Sequence, residues 1–206
     1  MQIIVLVAPI IIPLEIFNVF FRGYSSGNGT ALLFLFLINL AIYPIYQGAF
    51  ILYLASALKN SYLGKNEYYN LSKKIWPTLL IVYITKSLAI SLGLLLFIVP
   101  GLILAVRLSY AEIYCVLSKS NLNESINRSF KETNDHQLVI LSGLLIILLV
   151  GMSIIFLIQG LLKSGIGENY ITTFIFSLLS YIPVFMSTIF VFRVFDHQNS
   201  AKSDTE

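Results

Sequence analysis

From Gly23 to Leu58 no charged side chain interrupts the chain. A run of that length cannot be a water-facing helix, because such a helix keeps a polar face opposite its apolar one. It is ample for a bilayer, where about 20 apolar residues cross a hydrocarbon core ~30 Å thick. The rest of the chain agrees: 57% of its residues are apolar and 11% charged, against about 25% charged in a soluble domain. The sequence therefore describes a membrane protein. The same balance excludes a disordered chain, a collagenous repeat and a nucleic-acid-binding arm, and the lone Cys115 excludes a disulfide scaffold.

Four stretches are long and apolar enough to span: Met1 to Phe21, Ala31 to Leu58, Gln137 to Leu162 and Tyr170 to Phe192. The first holds Pro9, Pro13 and Glu15, which predicts a bent helix whose neighbours satisfy the freed backbone. Signal-peptide cleavage is the rival there, but no basic region precedes the run and Gly23-Tyr24-Ser25-Ser26 is a poor cleavage site. The segment Ile75 to Ser118 is interrupted by Lys86, Pro100-Gly101, Arg107 and Glu112. As one helix it would run roughly 66 Å at ~1.5 Å per residue, so two antiparallel helices reversing at Pro100-Gly101 are predicted. The rival is a single kinked span, Ser87 to Val106, which gives five crossings.

Basic residues gather on the cytoplasmic side of membrane proteins. With six spans and both termini cytoplasmic, the inner segments hold Lys59, Lys65, Lys73, Lys74, Lys119, Arg128, Lys131, Arg193 and Lys202, and the outer ones only Arg22 and Lys163. The five-span rival puts the two basic clusters on opposite faces. The expectation is thus an all-α, polytopic helical bundle in a bacterial inner membrane: one six-helix domain over residues 1–197 and a disordered cytoplasmic tail over 198–206.

Two cytoplasmic segments are distinctive. Asn121 with Glu124 three residues on is a variant capping box, and Leu122, Ile126 and Phe130 then recur every four residues. A short amphipathic helix follows, with Arg128 and Lys131 on its polar side. It either lies on an anionic inner leaflet or packs its apolar stripe beneath the bundle. Between Lys59 and Lys74, basic residues alternate with Tyr62, Tyr68 and Tyr69 ahead of Trp76-Pro77, a pattern of interface anchoring rather than of RNA binding.

Phe97-Ile98-Val99-Pro100-Gly101-Leu102-Ile103-Leu104-Ala105-Val106-Arg107-Leu108, then Val116-Leu117-Ser118, then Ser125-Ile126-Asn127-Arg128-Ser129-Phe130 resembles the YciC-like bacterial inner-membrane proteins. It is more distantly similar to the membrane domain of some glycerophosphodiester phosphodiesterases, without their hydrolase domain. Tyr46-Gln47-Gly48-Ala49-Phe50, Trp76-Pro77-Thr78 and Phe190-Val191-Phe192-Arg193-Val194-Phe195 fit the same pattern, so the likeness covers nearly the whole chain. The resemblance implies a six-helix inner-membrane protein with roles around the envelope and membrane lipids, and it supplies no catalytic residue. Two departures stand out. The residues begin almost directly in the first span, where such proteins usually have an amphipathic lead-in, so a misassigned start is one reading. Glu112 also stands where the family tends to have proline.

Ionisable groups at bilayer depth are expensive and are candidates for function. Glu15, Lys86, Arg107 and Glu112 lie inside the proposed spans. Counting from Pro100-Gly101, Lys86 lies roughly 20 Å down one helix and Glu112 roughly 17 Å down the next, so the two are predicted to pair; Glu15 and Arg107 are matched in depth near the outer face. The four form either a polar site for an anionic head group or ion pairs and snorkelling chains that hold the bundle. Asn18, Asn39, Gln47 and Gln159 read as interhelical hydrogen bonds, and Gly143 and Gly151 as relief of crowding on one packing face.

Enzyme chemistry finds little support. His136 and His197 fall at helix ends, no metal-ligand set or phosphate loop is present, and a dyad of Lys86 with Ser87 or Ser91 is the weakest reading. No cofactor and no nucleic acid is expected. The expected partners are membrane lipids, with a partner protein or a second copy as the alternative: a non-enzymatic protein that binds or moves an amphiphile, or a scaffold that docks a partner on the helix from Asn121 to Asn134.

Overall fold

The computed structural model describes residues 2–24, 29–167 and 169–203, and among them every regular element is a helix: α1 (Gln2–Tyr24), α2 (Gly29–Leu58), α3 (Lys65–Leu96), α4 (Ile98–Arg107), α5 (Ala111–Ser118), α6 (Leu122–Glu132), α7 (Gln137–Ile166) and α8 (Tyr170–Ser203). An apolar chain in lipid must satisfy its backbone internally, and the helix does so within one segment. Five stretches are long and apolar enough to cross a membrane: Gly29–Leu58, Lys65–Leu96, Ile98–Ser118, Gln137–Leu162 and Tyr170–Ala201. The first apolar helix is shorter over Leu6–Phe21 and stays helical through Pro9 and Pro13.

The expected reversal after α3 is present, but it turns on Phe97 and not on Pro100-Gly101. Phe97 is extended (φ −160°, ψ 151°) and separates α3 from α4. Pro100 and Gly101 instead sit in the first turn of α4, where a proline removes an N–H that would have no intrahelical acceptor. The Phe97 N–H donates to the Gly93 carbonyl at 3.0 Å, and the Gly101 N–H donates to the Phe97 carbonyl at 3.3 Å. Gly101 supplies closeness rather than a left-handed turn: a Cβ on it would stand 2.6 Å from the Leu94 nitrogen, and one on Gly93 2.9 Å from the Gly101 Cα. The tip is apolar and uncovered, with Leu95 83% and Phe97 75% exposed.

The second arm of this hairpin, expected as one helix, breaks at Leu108–Tyr110 between α4 and α5. Side chains of α6 take up the backbone groups the break releases. The Ser129 hydroxyl donates to the Arg107 carbonyl at 2.6 Å and accepts from the Tyr110 N–H at 3.1 Å, and Thr133 anchors to the Ser129 carbonyl at 2.7 Å. Polar glue of this kind lets an irregular helix persist where water does not reach.

Helix α6 therefore docks through a stripe of small hydroxyls, Ser125, Ser129 and Thr133, all fully buried. The expected apolar stripe lies beside it, with Leu122 and Ile126 half-buried and Phe130 exposed. Asn121 caps the helix as expected, accepting from the Glu124 N–H at 3.0 Å. Tyr68, Tyr69 and Trp76, read as interface anchors, tie α3 to its neighbours instead: Tyr68 meets the Ser56 hydroxyl at 2.5 Å, Tyr69 donates to the Leu6 carbonyl, and Trp76 Nε1 donates to the Ala41 carbonyl at 2.8 Å.

Helices α7 and α8 close on two glycines. A Cβ on Gly143 would overlap the Phe190 ring, and one on Gly151 would stand 2.8 Å from Pro183. The tail expected to be disordered from Gln198 continues as helix to Ser203, because Gln198 is buried and its Nε2 donates to the Glu132 carbonyl at 2.8 Å. Met1, residues 25–28, residue 168 and residues 204–206, which include parts of the proposed cleavage site and tail, lie outside the described residues, as do the side chains of Arg22, Lys163 and Lys202.

Candidate functional site

The four ionisable residues of the proposed spans separate into three environments. Lys86 of α3 and Glu112 of α5 meet, Nζ to Oε1, at 2.9 Å. With the turn at Phe97, Lys86 lies roughly 16 Å below the tip of the hairpin at ~1.5 Å per residue. The break between α4 and α5 brings Glu112 to the same level although it is farther along the chain. The carboxylate is nearly enclosed, and the lysine side chain keeps 23% of its surface exposed. Gln47 of α2 completes the group: its Nε2 donates to Glu112 Oε2 at 3.3 Å and to the Thr188 hydroxyl of α8 at 3.2 Å. Facing a carboxylate fixes the amide, because only the NH₂ end can donate.

Glu15 lies elsewhere, between α1, α2 and α8. Its Oε1 accepts from Tyr181 at 2.7 Å and from Asn18 at 3.2 Å. Asn18 and Asn39 bond reciprocally, at 3.1 and 2.9 Å. Arg107, matched with Glu15 by depth, turns away from it. Its guanidinium donates to the Phe130 carbonyl at 2.8 Å and to Asn134 Oδ1 at 2.7 Å. A cation on the last carbonyls of α6 is favoured by the helix dipole, so Arg107 secures α6 rather than a site in the bundle. On that helix Arg128 pairs with Glu124 at 2.7 Å, both being exposed, and Lys131 is exposed.

Around the Lys86–Glu112 pair is a cavity of about 190 Å³, lined also by Gln47, Ser109 and Thr188. Two buried polar atoms of residues that line it, Gln47 Oε1 and Ser109 Oγ, have no hydrogen-bond partner among the described residues. An unpaired buried polar group costs about 1–3 kcal/mol, so the packing here accepts an unfavourable burial. A second, apolar cavity of about 330 Å³ lies against the first and shares Ala105, Leu144 and Ser187 with it; Leu102, Leu148 and Pro183 line its far side. The polar cavity holds roughly six waters' share of liquid volume, enough for a head group and too little for a lipid.

Lys86 and Glu112 carried sequence signals of their own, as charges in apolar runs. Gln47 was legible only as a bundle hydrogen bond, while Ser109 and Thr188 carried no signal. Among the described residues no cluster of three or more His, Cys, Asp or Glu side chains could hold a metal.

No family model matches the chain, and no solved structure matches it. It is similar to a "UPF0259 membrane protein" of Serratia proteamaculans (strain 568), 29% identical over 119 residues that make up 58% of this chain and 46% of the relative. A protein of the same name from Yersinia pestis (strain Pestoides F) is 26% identical over 125 residues, 61% of this chain and 48% of the relative. The chain spans about half the length of the curated relatives it matches. With these relatives and its apolar helices, it is an all-helical integral membrane protein, similar to membrane proteins of enterobacteria.

Proposed function

We propose that this protein binds an amphiphile, with the polar part against Lys86 and Glu112 and the apolar part in the cavity between α4, α7 and α8. The observation that carries the reading is the adjacency of a cavity that holds the Lys86–Glu112 pair and an apolar one that shares its wall. Ligand sites combine an apolar lining with a few placed polar groups in this way. The protein acts on membrane lipid or on the envelope without chemistry of its own, in the inner membrane with both termini cytoplasmic.

The distribution of basic residues supports both ends of the α3–α4 hairpin lying on the cytoplasmic side. From the Lys86 level to Phe97 is roughly 16 Å, whereas from Thr188 to Tyr170 along α8 is roughly 27 Å at the same rise. The hairpin is thus the short pass, entering from the cytoplasm and turning on an apolar tip in the outer leaflet. The half-buried stripe of α6, flanked by Arg128 and Lys131, rests on the anionic inner leaflet. The exposed Phe130 and Lys131 favour a second reading, a scaffold that docks a partner protein on α6.

Lipid mass spectrometry of gently purified protein tests the first reading. Ala105→Trp, which fills the shared wall, is expected to lower lipid retention; unchanged retention, together with a partner that copurifies in fixed ratio, would favour the scaffold.

A further inference from the structure

The residues of the break between α4 and α5 do not themselves require one. Leu108, Ser109 and Tyr110 include no proline or glycine, and the backbones of Leu108 (φ −95°, ψ 5°) and Tyr110 (φ −87°, ψ −8°) are displaced only modestly from helical values. In an unbroken helix the Tyr110 N–H would donate to the Val106 carbonyl and the Ala111 N–H to the Arg107 carbonyl. Here the Ser129 hydroxyl of α6 stands in that ladder, accepting from the Tyr110 N–H and donating to the Arg107 carbonyl. The Ala111 N–H shifts to the Leu108 carbonyl at 3.3 Å, and the Ser109 N–H takes the Val106 carbonyl at 3.1 Å. A side chain inserted into the ladder bends a helix, so the bend belongs to α6 as much as to the arm that carries it.

The same bend serves the ion pair. Continued straight from the tip at ~1.5 Å per residue, the arm would place Glu112 roughly 22 Å from Phe97, against roughly 16 Å for Lys86, about one helical turn too far. The pair at 2.9 Å therefore favours the bent arm. Helix α6 favours it through separate bonds, from Ser129 and from the Arg107 guanidinium, which reaches the Phe130 carbonyl and Asn134. Lys86 and Glu112 bond to each other and to Gln47, not to α6. Two interactions that stabilise one conformation of a shared element are coupled, and each strengthens the other. With both removed, the buried backbone of Leu108 and Tyr110 is best satisfied by closing the helical ladder.

We propose that the α4–α5 arm is a two-state element, bent while α6 is docked and straight when α6 is released, and that α6 thereby controls the Lys86–Glu112 pair and the cavity around it. Ser109, Glu112 and Ile113 lie in the bend or just past it and line that cavity. An event at the exposed side of α6, where Arg128 and Lys131 stand, thus reaches the centre of the bundle through the arm.

The test is hydrogen exchange of the full chain in detergent, read by mass spectrometry. Lys86→Met with Glu112→Leu removes the pair and alters no residue of α6. The α6 amides are expected to exchange about tenfold faster, a coupling of ordinary size for linked sites, while amides around Gly143 and Gly151, where α7 meets α8, keep their wild-type rates. Unchanged α6 rates, or an equal acceleration around those glycines, would overturn the proposal. A second comparison reads the arm itself. In Ser129→Ala the ion pair still holds the bend, so the Tyr110 N–H has lost its acceptor and exchanges faster. Adding Lys86→Met and Glu112→Leu lets the ladder close, and exchange at Tyr110 and Ala111 should then slow by about tenfold relative to Ser129→Ala, as those amides regain helical bonds. Exchange that stays as fast, or rises further, would overturn the two-state arm. If the variant with Glu112→Leu does not fold, Lys86→Met with Glu112→Gln takes its place in both comparisons, because it also removes both charges and keeps the shape of the acid.

Discussion

The centre of the bundle and the α7–α8 seam solve the same problem by opposite means. In lipid there is little hydrophobic drive between helices, so they associate through close packing and polar bonds. At the centre, α2, α3, α5 and α8 are held around Lys86, Glu112, Gln47 and Thr188 by polar contacts of 2.9–3.3 Å. Along the seam, Gly143 and Gly151 admit Phe190 and Pro183, and the contact is one of shape. Beside the seam only apolar space is left, lined in part by Pro183, whereas the polar centre keeps a cavity around a charged pair. The difference teaches where to look for function: in the region where the fold accepts an unfavourable burial and leaves it incompletely compensated.

The largest expected effect breaks the centre. Glu112→Ala leaves Lys86 without its counter-charge and is expected to destabilise the protein by about 3–5 kcal/mol, read as a lower midpoint of thermal unfolding in detergent. The double variant Lys86→Met with Glu112→Leu should recover most of that loss, because two apolar chains carry no desolvation penalty. A double variant as unstable as the single one would show that the pair is not what holds the centre. Next comes the seam: Gly143→Leu forces a side chain into the Phe190 ring and should cost about 1–3 kcal/mol by overpacking. It should respond to Phe190→Ala as a compensating change, which the centre variants should not.

Ser129→Ala removes the hydroxyl that serves both the Arg107 carbonyl and the Tyr110 N–H. The expected loss is about 1–3 kcal/mol, with faster hydrogen exchange confined to residues 107–111 and α6. Smallest is Arg128→Ala, since its pair with Glu124 is exposed and of the i,i+4 kind. A change of about 0.5 kcal/mol or less is expected in the unfolding midpoint. Labelling of single cysteines from the side proposed to be outer sharpens the short-pass reading: Phe97→Cys should react slowly and Thr30→Cys quickly.

Much of the fold was legible because charges in apolar runs are rare and proline and glycine punctuate strongly. Two antiparallel arms, an Asn121 cap and opposite charges at one depth all follow from spacing along a helix of known rise. The misplacements have physical causes. Pro100-Gly101 has the sequence of a turn, yet a proline fits equally well in the first turn of a helix, and the glycine is needed where Gly93 and Leu94 press against it. Arg107 was matched to Glu15 by depth, but depth says nothing of azimuth, and the break after it turns the guanidinium toward α6. Ser125, Ser129 and Thr133 recur every four residues, a pattern visible in the sequence and outweighed there by the more obvious apolar stripe.

By itself, the sequence determined that this chain lives in a membrane, that it is helical, and that a few ionisable groups lie where burial is expensive, because hydropathy and charge are properties of residues taken one at a time. The tertiary structure alone decided which of those groups meet. It joined Lys86 to Glu112, gave Arg107 to α6 and Glu15 to Asn18 and Tyr181, and left Gln47 Oε1 and Ser109 Oγ buried without partners beside a cavity. Those outcomes depend on the rotation of each helix about its axis and on one break in α4–α5, and both are fixed by packing between segments far apart in the chain.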